Sequence, residues 1–197
     1  AAIDAALNGA ITGDGIGFTK LGAGTMEITG TNTYSGATRV SDGTLKISGG
    51  GINSSTQIIV RNATLELGSA NVLNNSADIT LDNARIITNG NEETTGPLAL
   101  IGNNQLDLIS VGNIIRSADS STLVWGSTLV ITDWTGNSAG GGSDQVYFGN
   151  NAVDQKQKPV YGILASYDDE DNTDFWKQLE KDPNQDLKVP NSADTQP

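Results

Sequence analysis

The chain has 197 residues, a formal net charge of −12, and neither His nor Cys. Without these side chains there can be no Ser-His-Asp or Cys-His nucleophile system, no disulfide and no thiolate metal site. The acidic balance argues against nucleic acid as a partner, because nucleic-acid binding needs a basic surface. The 24 glycines, with frequent Asn, Thr and Ser, favour short strands joined by turns.

Repetition is the main feature of the chain. Residues 1–16 predict an N-terminal rung or cap, with Ile3, Leu7 and Ile11 as its apolar anchors. After them a phrase of eight residues recurs, and its copies begin at positions 21, 40, 60, 81, 101 and 124. The interval between copies is 19 to 23 residues, which is typical of solenoids and other arrays built from one stacked unit.

Each copy of the phrase predicts a strand, a corner and a second strand. Its first, sixth and eighth positions are mostly apolar, and its seventh position is mostly charged. Alternation with period two is typical of a half-buried strand, so the apolar positions are expected to point inward and the seventh outward. In successive copies the sixth-position residues Leu45, Leu65 and Leu106 are therefore expected to be buried and stacked in register.

Small polar residues at the third and fourth positions predict a tight corner. Stacking at about 4.8 Å would place Asn62, Asn83 and Asn103 in a ladder of amides at that corner. One unit cannot bury its apolar face alone, whereas stacking on a neighbour does bury it. The sequence thus predicts an all-β parallel β-helix, or solenoid, with rungs of roughly 20 residues. A β-sandwich or jelly roll is the alternative, since two strands per interval fit both folds.

Residues 17–48, GFTKLGAGTMEITGTNTYSGATRVSDGTLKIS, carry a specific combination of motifs. These are Lys-x-Gly-x-Gly-Thr from Lys20, Gly-x-Asn-Thr-Tyr-x-Gly from Gly30, and a second turn with Thr-Leu from Asp42. The stretch resembles the autotransporter-associated β-strand repeat of bacterial passenger domains, and it departs from that family at Ala37, where a second Gly is common. The resemblance implies a parallel β-helix exported to the cell surface. It implies no reaction, because many passengers are stalks or adhesins.

The second half of the chain carries a weaker resemblance. Residues 115–151 resemble the closing segment of bacterial repeat proteins of the same kind. Further strands are predicted at 145–148 and 160–164.

The composition changes near residue 166, and this change predicts the domain organisation. A β-solenoid repeat domain is expected at 1–165, and an acidic capping or linker tail at 166–197. Within the tail, residues 175–181 predict a short helix that covers the last rung, because its unpaired edge otherwise invites end-to-end self-association. Residues 182–197 hold few apolar groups and are expected to be disordered.

An acidic run in the tail is the best candidate metal site in the sequence. Oxygen ligands at alternating positions could hold Ca²⁺, and they are Asp168, Glu170, Asn172 and Asp174. The run lacks the Gly and the final Glu of a calcium loop, so a solvated charge run is the favoured interpretation. No cofactor is expected.

Carboxylates are the only remaining candidates for catalysis. Asp119 and Asp133 lie near turn residues and could form an acid pair, although neither sits in the usual Asp-Thr-Gly or Asp-Ser-Gly signature. Such a pair would make the chain a hydrolase acting on host glycoprotein or polysaccharide. The absence of the signature favours a chain that is not an enzyme.

One tryptophan is a candidate ligand-binding residue. Trp125 is predicted at the outward second position of its copy, where an exposed ring could stack on a sugar. Trp134 and Trp176 are interpreted as parts of the cap.

The favoured function is therefore a non-catalytic passenger module, secreted or on the outer membrane of a bacterium, that acts as a stalk or adhesive scaffold. The alternatives are the hydrolase and a glycan-binding module. An extracellular glycan or a host surface protein is a possible partner, and no run in the sequence is long and apolar enough for a membrane helix.

Overall fold

The computed structural model describes residues 2–120, 123, 125, 128–135 and 142–148, together with the backbone of residues 163–167 and 175–178. Over these residues the chain is all-β and has no helix, so no helix there is long and apolar enough to cross a membrane. The strands in chain order are β1 (Ala5–Leu7), β2 (Phe18–Lys20), β3 (Thr25–Ile28), β4 (Thr38–Val40), β5 (Thr44–Ile47), β6 (Gln57–Arg61), β7 (Thr64–Leu67), β8 (Asp78–Asp82), β9 (Arg85–Ile87), β10 (Glu92–Thr95), β11 (Leu98–Ile101), β12 (Asn104–Asp107), β13 (Ile114–Ser117), β14 (Leu129–Thr132), β15 (Gln145–Phe148), β16 (Ile163–Tyr167) and β17 (Phe175–Gln178).

In the described part of the chain the strands form three sheets around one core. The long sheet has the order β1-β3-β5-β7-β9-β12-β14-β16-β17, the second sheet β2-β4-β6-β8-β11, and the third sheet β10-β13-β15. Neighbouring strands are parallel except for β16 and β17, which are antiparallel. The fold is a parallel β-solenoid of about six turns with a spacing of about 21 residues. This confirms the predicted solenoid and excludes the sandwich.

The inward side chains of the long sheet stack in register, as the repeat predicts. Leu45 pairs with Leu65, and both are fully buried. Ile86 continues the row, followed by Leu106, which is also buried. Since each rung buries its apolar side chains against the rungs above and below, the core runs along the whole axis.

Leu21, the first residue of the first copy of the phrase, was predicted to point inward, and this prediction is wrong. It is 72% exposed, and Lys20 instead pairs with the buried Val40. The corner between Lys20 and β3 is one residue longer than the corner between Val40 and β5, and it holds Gly22 with a φ of 81°. The extra corner residue shifts the inward phase by one.

Ile101 needs the same correction. It is 50% exposed, and Leu100 takes the inward position opposite Leu81. Here too the connection is one residue longer, with four residues between Leu100 and Gln105 where their partners Leu81 and Arg85 are separated by three, and it contains Gly102 with a φ of 65°. Left-handed backbone geometry of this kind is accessible to glycine at little cost, which is how the rung absorbs the additional residue.

The last copy of the phrase is shifted by two residues from its predicted alignment. Ile131, rather than Leu129, pairs with Leu106, and Leu129 pairs with Asn104. Both apolar residues remain buried because a shift of two preserves the side of the strand.

The corner asparagines form only part of the predicted amide ladder. Asn62 and Asn83 take left-handed conformations, with φ of 47° and 50°. The backbone N–H of Asn103 donates to Oδ1 of Asn83 at 3.1 Å, whereas the Asn83 amide donates to Asp82 Oδ1 at 3.1 Å. No side-chain bond joins Asn62 to Asn83 within the described residues, and the Asn83 amide bonds within its own corner.

The charged residues at the seventh position face outward and pair along the axis. Lys46 Nζ lies 3.8 Å from Glu27 Oε1 and 3.6 Å from Glu66 Oε1. These ion pairs between partly buried side chains contribute on the order of 1 kcal/mol each and favour the register.

The tail continues the long sheet over the segments that the structure describes. β16 pairs with β14, and β17 adds to β16 in the antiparallel direction. The prediction of a helix at 175–181 is therefore wrong over Phe175–Gln178, which form a strand. The division at residue 165 remains a prediction.

Candidate functional site

An open groove of about 660 Å³ follows the corner between the second sheet and the long sheet. We call it the corner groove. Its walls consist mostly of neutral polar and small side chains, and its lining residues are Gly43, Thr44, Asn62, Ala63, Thr64, Asn83, Ala84, Arg85, Asn103, Asn104, Gln105, Val130 and Thr132.

The register of the long sheet builds one wall of the corner groove. Thr44, Thr64, Arg85, Gln105 and Val130 are successive partners in five neighbouring strands. All five are half-buried, and each directly precedes an inward-facing residue of its strand. At a strand spacing of about 4.8 Å, this row extends for about 19 Å parallel to the solenoid axis.

Several polar groups of the corner groove are not used by the fold. Within the described residues, the side chains of Thr44, Asn62, Thr64 and Asn103 have no hydrogen-bond partner. Gln105 commits its Nε2 to Thr132 Oγ1 at 3.0 Å and leaves its carbonyl oxygen unpaired in the same part of the chain. The wall therefore presents both donors and acceptors to a molecule lying along it.

The charge of the corner groove is neutralised within the protein. Arg85 donates from Nη2 to Oδ2 of Asp107, whose side chain is almost fully buried. Nε of Arg85 and Oδ1 of Asp107 are buried and have no hydrogen-bond partner among the described residues. Because the buried Asp107 compensates the charge of the partly exposed Arg85, the groove is close to neutral.

The two residues of the predicted carboxylate pair follow strands of different sheets. Asp119 follows β13 of the third sheet, and Asp133 follows β14 of the long sheet with a φ of 56°. The chain passes from the second sheet to the long sheet and then to the third, so these two exposed residues lie at different corners. The acid-pair hypothesis stays a prediction without geometric support.

Trp125 does not occupy the outward position predicted for it. It bridges to Leu100 of the second sheet, which places it in the inward row. Its Nε1 donates to the Leu98 carbonyl at 2.6 Å, and its ring packs edge-on against Phe148 with centroids 5.1 Å apart. The side chain is half-buried and closes the core, so the outward position is wrong and its sugar-binding role remains a prediction.

Of the remaining candidate residues, only Trp134 has a side chain that the structure describes. Trp134 packs against the core and donates from Nε1 to the Asp144 carbonyl at 3.0 Å. The predicted calcium ligands Asp168, Glu170, Asn172 and Asp174 lie outside the described residues, as does the Trp176 side chain. Within the described residues no group of three or more acidic side chains could hold a metal ion.

Sequence reasoning missed a buried carboxylate, that of Glu93. It lies on the inner side of β10 and is 1% exposed. Its Oε2 accepts hydrogen bonds from the backbone N–H groups of Val72 at 2.8 Å and Leu73 at 3.2 Å. Burial raises the pKa of Glu93 to about 7, and the bonds from Val72, Leu73 and Thr94 offset only part of this. The alternation of β10, with Glu93 and Thr95 in phase, was the signal that could have found it.

Asp144 serves the same structural purpose at a later corner. Its Oδ1 accepts from the backbone N–H groups of Gly112 and Asn113, both at 2.9 Å, and its Oδ2 accepts from Thr135 N at 2.9 Å. Burial alone would raise the pKa of Asp144, but hydrogen bonds from Thr135 and Asn113 outweigh it and the pKa is lowered. Both carboxylates cap corner N–H groups that the ladders leave free.

The motif residues near the N-terminus also connect rungs. Lys20 donates from Nζ to the Gly22 carbonyl and, at 2.9 Å, to the Asp42 carbonyl of the next corner. Asn32 accepts from Ile11 N at 2.9 Å and donates to the Gly51 carbonyl at 2.9 Å, so it spans three rungs.

Comparison with protein families bears on this N-terminal segment. Residues 18–47 match the family model described as the passenger-associated-transport-repeat. The match confirms the resemblance to the autotransporter passenger repeat over the segment that holds β2 to β5. Comparison with curated proteins found no match, and comparison with solved structures found none.

The passenger repeat has a clear physical logic in this structure. Tyr34 is buried, and its hydroxyl lies 2.6 Å from Thr38 Oγ1, which in turn lies 2.9 Å from Ser55 Oγ on the next rung. A Cβ on Gly36 would lie 2.5 Å from the Ile16 carbonyl oxygen of the preceding rung. The characteristic residues of the repeat therefore serve rung-to-rung stacking.

Proposed function

We propose that the chain is a non-catalytic passenger module, exported by a bacterium, that acts as a stalk or adhesive scaffold at the cell surface. The observation that carries this proposal is the use of the passenger-repeat residues. Lys20 and Asn32 bond directly to neighbouring rungs, and Tyr34 bonds to Thr38, which in turn bonds to Ser55 of the next rung. Residues that hold rungs together suit a protein that acts as an elongated, rigid scaffold.

The continuity of the long sheet supports the same function. Within the long sheet, each strand up to β14 pairs in parallel with the strand before it in the sheet order. The inward row from Leu45 to Leu106 is apolar throughout. Each rung contacts only the adjacent rungs, so the solenoid is a stack of similar units, as expected for an elongated scaffold. The hydrolase alternative has no comparable support, because Asp119 and Asp133 lie at different corners.

Removing one complete rung tests the scaffold proposal. Deleting residues 45–64 joins Thr44 to Leu65, which takes the register position of Leu45. The shortened chain is expected to unfold cooperatively like the intact chain, because the rungs are equivalent units. Cells that carry the shortened chain are expected to attach as well as cells that carry the intact chain. Circular dichroism during heating measures the unfolding transition, and cell-attachment assays with the intact and shortened chains measure attachment.

A matched deletion controls for the loss of twenty residues. Deleting residues 45–65 joins Thr44 to Glu66, so the following side chains exchange faces and a carboxylate enters the core. This variant is expected to be unfolded. If the in-register deletion were equally unfolded, the rungs would not be interchangeable units. If it folded but lost attachment, the removed rung would carry a site and a pure stalk would be excluded.

A further inference from the structure

We propose that the corner groove binds a neutral, linear polysaccharide that lies parallel to the solenoid axis. This goes beyond the scaffold function and does not depend on it. Thr44, Asn62, Thr64 and Asn103 present side-chain donors and acceptors that no described residue satisfies. Hydroxyl-rich sugars pair with amides and hydroxyls of this kind, since each sugar hydroxyl both donates and accepts.

The electrostatics of the corner groove select a neutral chain. Arg85 is the one charged residue in the described lining, and its charge is compensated by the buried Asp107. The whole protein carries a net charge of −12, which repels polyanions such as polyuronates. A neutral ligand avoids this repulsion and does not compete with Asp107 for the guanidinium.

The shape of the corner groove favours an extended polymer. The polar row from Thr44 to Gln105 repeats once per strand, at about 4.8 Å, so equivalent groups meet a periodic ligand at regular intervals. Val130, which is half-buried, supplies apolar surface beside the polar groups for the C–H face of a sugar ring. An open groove of about 660 Å³ suits a chain that enters and leaves at its ends.

A peptide strand fits this surface less well. Peptides bind sheets mainly by adding a strand to a free edge. The strands below the groove are β5, β7, β9 and β12, and each is already paired on both sides in the long sheet. Their backbone groups are therefore committed, which leaves recognition to the side chains.

Native affinity electrophoresis of the 197-residue chain tests the proposal. Gels contain glucomannan, xyloglucan or dextran as neutral polysaccharides, or polygalacturonate as an anionic comparison. We expect at least one neutral polysaccharide to retard the chain, and polygalacturonate to leave its mobility unchanged. The double variant Asn103→Ala/Gln105→Ala is expected to bind about tenfold more weakly or worse, as two hydrogen-bonding groups are lost.

A second variant keeps the test independent of those two side chains. Thr64→Tyr fills the middle of the corner groove and is expected to abolish retardation. Thr80→Tyr is its matched control, because Thr80 is a half-buried outward residue of β8 on the second sheet, and it should bind like the parent. Thermal unfolding confirms that each variant is folded.

Three results would overturn the proposal. They are no retardation by any neutral polysaccharide, retardation that both groove variants retain, and stronger retardation by polygalacturonate than by every neutral chain. None of these results bears on export to the cell surface, so the proposed scaffold function can fail or stand separately.

Discussion

Replacing Leu65 by alanine is expected to lower the free energy of unfolding by about 2–5 kcal/mol. Leu65 is fully buried and pairs with Leu45 on one side and Ile86 on the other. The rungs that flank it are fixed by their own hydrogen bonds, so they cannot close over the space that the missing methyl groups leave. The loss therefore combines the transfer energy of the removed atoms with the cost of a cavity. Urea denaturation of parent and variant measures it.

The neighbouring residue supplies the control for this substitution. Glu66→Ala removes an outward side chain from the same strand, together with its 3.6 Å contact to Lys46. An ion pair of this kind contributes up to about 1 kcal/mol, so the free energy of unfolding should fall much less. Equal losses in the two variants would mean that Leu65 is not stacked in the core.

Replacing Glu93 by glutamine is expected to remove a strong dependence of stability on pH. Burial raises the pKa of Glu93 from 4.5 to about 7. Between these two values the folded chain binds more protons than the unfolded chain, so stability falls as pH rises. The favourable contribution is complete below pH 4.5 and is lost as pH passes through 7. The shift corresponds to about 3 kcal/mol between its two limits.

Glutamine keeps an oxygen that can accept from Val72 and Leu73, but it cannot ionise. We therefore expect Glu93→Gln to be more stable than the parent at pH 8 and nearly equal to it at pH 5. Glu92→Gln, on the outward side of β10 beside Arg116, is the matched control and should follow the parent. Urea denaturation at several pH values measures both variants. A parent whose stability does not fall between pH 5 and 8 would contradict the assignment.

Much of the fold could be predicted from the sequence because a short repeated pattern of residues specifies each rung of the solenoid. A period near 20 residues and an alternation of period two suffice to place Leu45 and Leu65 in the core. The errors at Leu21 and Ile101 have one cause. A corner can absorb an additional glycine without changing the rung length noticeably, and the phase of the first strand then shifts by one residue.

The corner groove was harder to predict because residues from several rungs form it together. Thr44 and Thr64 stand in the repeated phrase, but the phrase does not tell which outward residues line a groove. Trp125 was misplaced because the inward phase of the neighbouring strand is one residue earlier than the phrase predicts: Leu100, not Ile101, points inward, and Trp125 pairs with Leu100. Glu93 was overlooked because a charged residue at an inward position contradicts the usual pattern, and only the geometry of its backbone donors explains it.

We propose that this chain is an exported module at the bacterial surface, and antibody labelling of intact cells tests this proposal most directly. The parent protein is expressed in its own cells, and an antibody against this chain is applied before and after lysis, with a cytoplasmic and a periplasmic protein as controls. We predict that intact cells, or their culture medium, give the full signal for the chain, while both controls appear only after lysis. A signal for the chain that appears only after lysis would contradict the claim.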